Sequence, residues 1–252
     1  MHHAHIDKYA NNNTFFHRLD SRGKLVMTII FTILVVTSGK GVAYLAWYLL
    51  WPFTILAIGQ IPFRFVIKQL AIVSPFIIVL AISSVFYNRE PVDVRFGPFQ
   101  WHVSNGVIQF FNIVIKFSIT VCSLIAMVST TRFDDLLAGM EKLGMPRLIV
   151  SQLGFLYRYI FLLIDRVGRM LRARKARSLR NLGFSRELNV ASSMIGSLLI
   201  NSIDMAGRVG VAMEGRGFDG RIRTLRMMKF EAVDVLFVCI SAMYMVCLRV
   251  FA

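Results

Sequence analysis

The chain has 252 residues, 56% of them hydrophobic and 17% charged, and its 29 Lys and Arg against 14 Asp and Glu give a net charge of +15. Disordered chains are poor in apolar residues, ordinary soluble domains carry about 25% charged residues, and a nucleic-acid binder would share the charge but not a mean hydropathy of +0.61. The first class is excluded and the other two are disfavoured, which leaves an integral membrane protein with a large basic portion outside the lipid.

Residues 1–24 are polar and basic, with Lys8, Arg18, Arg22 and Lys24. No cleavable signal peptide is expected, because the first apolar run begins only at Leu25. His2, His3 and His5 are weak metal candidates: the cluster could touch a transition metal, but a free terminus gives it no fixed geometry. A bilayer core takes roughly 20 apolar residues per helix. Spans are expected over 25–37, which is short, and over 42–61, 69–87, 107–127 and 232–250. Pro75 is a tolerated kink. Lys116, inside the fourth span, is a functional candidate by default, with snorkelling or pairing to another subunit as the alternatives. The 88–106 segment reads as a loop with balanced charge.

Between the fourth and fifth spans lies a different kind of sequence. Residues 132–229 hold 18 Lys and Arg against 8 Asp and Glu, a net of +10. Thr131 and Asp134 read as a capping box opening a short helix that stops at Gly144. Pro146 suits the first turn of a second helix reaching about residue 179, after which Asn181 and Gly183 are stop signals. A third helix is expected over 189–214. Residues 148–164 are apolar enough to imitate a span, but Arg158 at their centre would be costly in lipid, so an amphipathic helix packed against the bundle is expected. The Lys/Arg bias puts the amino terminus, the 62–68 loop and the basic block on the cytoplasmic side, and the carboxyl terminus outside.

Two helix ends in this block rhyme. Ala176-Arg177-Ser178 and Gly215-Arg216-Gly217 each set an Arg between small residues, which lets another surface approach and leaves the guanidinium free for bidentate hydrogen bonds to carboxylates or carbonyls. A lone Arg there could simply complement the helix dipole, worth about 0.3–1 kcal/mol. The pairing favours a docking role. The remaining basic residues read as anionic-lipid contacts.

With these motifs the sequence resembles the transmembrane (T) component of energy-coupling-factor transporters, in the CbiQ branch serving cobalt or nickel. The resemblance runs through Ile6-Asp7-Lys8-Tyr9-Ala10, residues 17–25, the Leu143-Gly144-Met145-Pro146 elbow, Arg172-Ala173-Arg174 and, most specifically, residues 214–220. It implies an all-α membrane protein of about five transmembrane helices plus a cytoplasmic region of long amphipathic helices. The divisions are 1–24 cytoplasmic segment, 25–128 helices one to four, 129–230 coupling-helix region and 231–252 the fifth helix. It implies Ala-Arg-Gly-like coupling motifs, here with Gly215 in place of Ala and Ser178 in place of Gly, docking Arg177 and Arg216 on two cytosolic ABC ATPase subunits. Arg172, Arg174 and Pro146 would support the coupling helices. The other implied partners are a substrate-binding membrane subunit for cobalt or nickel, optionally a small accessory membrane subunit, and the bilayer of the inner (cytoplasmic) membrane, with no nucleic acid.

The chain contains no G-x-x-x-x-G-K-[ST], H-E-x-x-H or G-x-S-x-G motif. It is therefore expected to be non-catalytic and free of cofactors of its own, with ATP and Mg on the partner ATPases and cobalt or nickel as cargo. The competing readings are a membrane enzyme acting on lipid phosphate, and a stand-alone metal carrier. Cys122, Cys239 and Cys247 lie in apolar stretches and read as packing residues.

Overall fold

The computed structural model describes residues 14–39, 42–87, 91–96, 99–177, 183–220 and 232–251. Its helices are α1 (Phe15–Arg18), α2 (Ser21–Thr37), α3 (Val42–Ile58), α4 (Phe63–Tyr87), α5 (Asn105–Ser129), α6 (Phe133–Lys142), α7 (Arg147–Arg177), α8 (Phe184–Glu214) and α9 (Ala232–Phe251). Between α4 and α5 runs an antiparallel hairpin of β1 (Pro91–Phe96) and β2 (Phe99–Ser104). The architecture is that of an all-α membrane protein with one added ribbon. The chain divides into two compact units, the first holding α1–α5, α6 as far as Gly139, and α9, the second running from Met140 to Leu225 and holding α7 and α8.

In the first unit α5 is the central helix, packed against α2, α3 and α4, while α9 packs on α2. Phe31, Val35, Leu45 and Ile119 are fully enclosed there, and the Phe31 ring stacks on Trp51 with centroids 4.5 Å apart. The outward faces stay apolar, as at Ile72, Phe76 and Val79 of α4 and Val246 of α9, which suits a helix bundle in lipid rather than water. Several hydroxyls in the bundle are satisfied inside their own helices: Thr28 donates to the Lys24 carbonyl at 2.8 Å and Ser118 to Val114 at 2.8 Å.

One end of this bundle is knotted by polar groups. Lys24 is only 3% exposed; its Nζ donates to the Thr130 carbonyl at 3.1 Å and lies 5.9 Å from the centroid of the Phe16 ring. The Asp20 backbone N–H donates to Asp234 Oδ1 at 2.7 Å, and the Asp20 carboxylate accepts from the Arg22 N–H, capping α2. Ser21 Oγ donates to the Asp135 carbonyl at 2.6 Å. The starts of α2, α6 and α9 and the end of α5 are thereby held together. This explains why α2 begins a turn before the expected 25: Ser21 and Lys24 are polar, but the Ser21 hydroxyl and the Lys24 ammonium both find carbonyl partners in the protein.

Other boundaries move for similar reasons. α3 closes at Ile58 rather than 61, because the Gln60 N–H bonds to the Ala57 carbonyl and the Ile61 N–H to Leu56, with Gln60 left-handed at φ 52°. The capping box at Thr131 does not form: α6 starts at Phe133, and Thr131 Oγ1 is buried with no partner among the described residues. The last turn of α5 has already claimed Thr130, whose hydroxyl returns to Ala126 and whose carbonyl takes Lys24. α6 does stop at the expected Gly144, left-handed at φ 101°, with Met145 N–H on the Met140 carbonyl. α8 begins at Phe184, five residues before the expected start, with Gly183 as its N-cap rather than a stop. The segment read as a loop holds the hairpin.

Among the described residues five helices are long and apolar enough to cross a membrane, namely α4, α5, α7, α8 and α9. The number matches expectation but the membership differs. α2 and α3, with 17 residues each, are at the short limit for a span, and the 31-residue α7 and α8 pass on length and composition.

Gly139 packs against the start of α2 so tightly that a Cβ there would lie 2.6 Å from Ser21 Oγ. Gly139→Ala is therefore expected to cost about 1–3 kcal/mol, read as a lower unfolding midpoint in detergent. Adding Ser21→Ala, which leaves only Cβ at 3.4 Å, is expected to cost less than the sum of the two single changes.

Candidate functional site

The second unit is built from two helices of 31 residues each. Around α7 the side chains segregate: Ile149, Leu156, Ile160, Ile164 and Leu171 form an exposed apolar face, and Arg147, Arg158, Arg169 and Arg172 lie on the opposite one. This is the amphipathic helix expected from Arg158. On α8, Leu188, Ile195, Leu199 and Ile203 are likewise exposed.

The two helices touch near both ends, and the contacts show that they run antiparallel. At one end Arg174 of α7 pairs with Glu187, in the first turn of α8, at 3.1 Å. At the other, Ser151 Oγ donates to the Gly220 carbonyl at 2.9 Å, and the Phe155 ring meets Phe218 edge-on at 5.9 Å. Ser151 is the one buried residue of α7. Glu187 suits its place, since a carboxylate is favoured at a helix N-terminus.

The sequence-derived site residues can now be placed. Arg177 is the last residue of α7 and is exposed, as is Ala176. Gly215, Arg216 and Gly217 form the exposed turn that ends α8. There Phe218 N–H bonds to the Met213 carbonyl and Gly217 N–H to Glu214, with Gly217 left-handed at φ 72°. Gly217 is thus a backbone requirement as well as a small neighbour, and it fixes Arg216 at the tip. The antiparallel pairing sets Arg177 and Arg216 at opposite ends of the pair, separated along its axis by roughly 45 Å, the length of a 31-residue helix. Arg174 is partnered by Glu187, a link that sequence spacing alone did not reveal. Arg172 is exposed, and Pro146 precedes α7, its carbonyl accepting the Ile149 and Val150 N–H groups. Ser178, His2, His3, His5 and Asn181 lie outside the described residues. Among the described residues no group of three or more His, Cys, Asp or Glu could hold a metal ion. Lys116 sits at the C-terminus of α2, its Nζ on the carbonyls of Val36 (3.2 Å) and Ser38, where a cation offsets the helix dipole.

A helical bundle with apolar outer faces, joined in one chain to a basic pair of long helices, defines a multi-pass membrane protein. The sequence comparison gives the class its family: residues 12–226 match CbiQ, the cobalt transport protein family, and the chain belongs to it. Similar relatives cover nearly full lengths. The uncharacterised protein MJ1571 of Methanocaldococcus jannaschii is 27% identical over 94% of this chain and 86% of its own. The energy-coupling factor transporter transmembrane protein EcfT of Staphylococcus aureus is 25% identical over 92% and 90%. That of Bacillus subtilis is 25% identical over 85% and 84%.

Ser151→Ala removes the hydrogen bond that pins the α8 terminal turn to α7, a loss of about 1 kcal/mol. Faster amide hydrogen exchange is expected at Arg216–Gly220, with α9 unchanged.

Proposed function

We propose that this chain is the transmembrane T component of an energy-coupling-factor importer for cobalt or nickel, a non-catalytic scaffold between cytosolic ATPases and a substrate-binding subunit in the membrane. One observation carries the reading: two exposed Arg-bearing helix termini at opposite ends of a single antiparallel pair. Two separated tips of like chemistry suit two like receptors, as a pair of ABC ATPase subunits would supply. Membership of the CbiQ family and the EcfT names of the relatives support the same assignment, and the family description favours cobalt.

The residues account for the mechanics. Gly215 and Gly217 keep the surroundings of Arg216 open, and the guanidinium's five donors can bind a carboxylate or carbonyl rim bidentately. Closure of the ATPases on ATP and Mg would shift the two tips. Each 31-residue helix acts as a lever, and the Arg174–Glu187 and Ser151–Gly220 ties make the pair respond as one body. The exposed apolar faces of α7 and α8 suit contact with a membrane subunit that must reorient to release its cargo. In this reading α7 and α8 belong to the cytoplasmic region rather than to the spans, as Arg158 and Asp204 near their midpoints favour. The amino terminus is then cytoplasmic and the carboxyl terminus outside the inner membrane.

An interface Arg typically contributes about 2–4 kcal/mol when it is an anchor. Arg177→Glu with Arg216→Glu is expected to abolish both co-purification of the ATPases and metal uptake, while each single change weakens them. Full retention of both by the double variant would sink the assignment.

A further inference from the structure

In the first unit the ties that fasten the helices also fix their heights. The polar knot sets one level. There Lys24, near the start of α2, reaches the Thr130 carbonyl at the end of α5, and a Cβ on Gly59, just past α3, would lie 3.1 Å from Thr130 Cγ2. Asp234, in the first turn of α9, meets the Asp20 N–H at the same end. At about 1.5 Å per residue, α5 extends roughly 36 Å from Thr130 to Gly106. The end of α4 is level with that point, since Ser84 Oγ donates to the Gly106 carbonyl at 3.3 Å.

The other three helices stop well short of it. Lys116 marks the end of α2 by its bonds to the Val36 and Ser38 carbonyls, and it lies only about 21 Å along α5 from Thr130. Trp47 of α3 lies about 18 Å from Gly59, and its carbonyl accepts from the Tyr244 hydroxyl, so α9 runs beside α3 at the same height. α9 ends about 25 Å from Asp234. The bundle is thus stepped: α2, α3 and α9 are shorter than α4 and α5 by roughly 10–15 Å.

The low step carries the marks of a membrane surface. Trp47 is 60% exposed, and Tyr44, a turn nearer the end of α3, is 46% exposed. Trp and Tyr favour the lipid–water interface. The Lys116 ammonium and the last carbonyls of α2 lie near the same height. Between this level and the knotted end the exposed residues are apolar, as at Ile29 and Ile33 of α2 and Leu50, Phe53 and Ile58 of α3. On the tall side the exposed aromatic near the end of α4 is Phe86, about 20 Å farther from the knot than Trp47. A hydrocarbon core of roughly 30 Å matches α4 and α5 but would submerge Tyr44, Trp47 and the Lys116 ammonium. Tilting only shortens the reach of a helix that is already short. Such a helix is accommodated by snorkelling, by a covering partner or by a thinner bilayer. The Lys116 ammonium is tied to α2 and does not snorkel, and the interfacial aromatics suit headgroups rather than a protein cover.

We propose that the bilayer is thinned to a core of about 20 Å beside α2, α3 and α9, with Tyr44 and Trp47 in the headgroup zone of one leaflet, and keeps its ordinary thickness beside α4 and α5. A neighbouring membrane protein then has about 10 Å less hydrocarbon to cross with its polar groups along this flank. The inference needs only that the chain spans a membrane and is independent of the coupling mechanism.

Depth-resolved quenching tests it, with the full chain in dioleoylphosphatidylcholine vesicles doped with lipids brominated either near the headgroup or near the chain end. The protein has three Trp, so the emission lost in Trp47→Phe isolates Trp47. A second reporter, Phe86→Trp in the Trp47→Phe chain, marks the tall side. Both substitutions are at exposed positions and keep an aromatic ring. The expected result is that both reporters are quenched more by bromine near the headgroup, although they stand about 20 Å apart in height; a leaflet of uniform depth holds only one of them there. Stronger quenching of Trp47 by bromine near the chain end would overturn the proposal, since Trp47 would then lie deep in a bilayer of full thickness. Quenching of Trp47 by neither lipid would overturn it too, because protein would cover the step. So would a Phe86→Trp reporter quenched by aqueous acrylamide and by neither lipid, which would leave the tall end standing in water above a flat bilayer.

Discussion

The membrane unit depends on the hydrogen bond from the Asp20 N–H to Asp234 Oδ1, which joins positions 214 residues apart, and on the buried Lys24 beside it. A charge out of water is expensive unless it is hydrogen-bonded, and a group stripped of its partner costs more than the bond itself contributes. The Lys24 ammonium therefore commits the carbonyl of Thr130 and the face of Phe16 to fixed places. Asp234 likewise commits the start of α9 to the start of α2. Apolar packing between helices in lipid is weakly directional, since lipid tails are as apolar as leucine. The polar knot supplies the register that such packing lacks.

α2 shows the consequence most clearly. It is a short helix for a span, yet its two ends are both answered by protein: Asp20 caps its first turn, and Lys116 reaches across from α5 to the last carbonyls. Lys116 looks anomalous inside an apolar run because its partner is a helix terminus far away in sequence. A half-buried lysine bonded to the last carbonyls of a helix is a structural fastening, and it accounts for the cation without a ligand or a second subunit.

The second unit was the more legible of the two in outline and the less legible in its pairing. Arg158, the Gly144 stop and the Gly215-Arg216-Gly217 turn are local signals, and each one marks the structure where it stands. The antiparallel contact of α7 with α8 is not local: Arg174 with Glu187 and Ser151 with Gly220 join residues whose spacing carries no signature. The same holds for Thr131, a good cap by composition that loses its role because Thr130 serves α5 and Lys24 first. The hairpin escaped for another reason. Its charges balance and its strands are short, so charge bias read a loop where the alternation of Val92, Val94 and Phe96 with Phe99, Trp101 and Val103 specifies a ribbon.

The two units divide the labour the composition hints at, an apolar bundle fastened by a few buried polar groups and a basic helix pair that displays its tips. The most direct measurement is uptake of radiolabelled cobalt and nickel by cells expressing the ATPases and the binding subunit, with and without this chain. The scaffold account predicts ATP-dependent uptake only when the chain is present. Equal uptake in its absence, or metal flux in liposomes holding the purified chain alone, would contradict it.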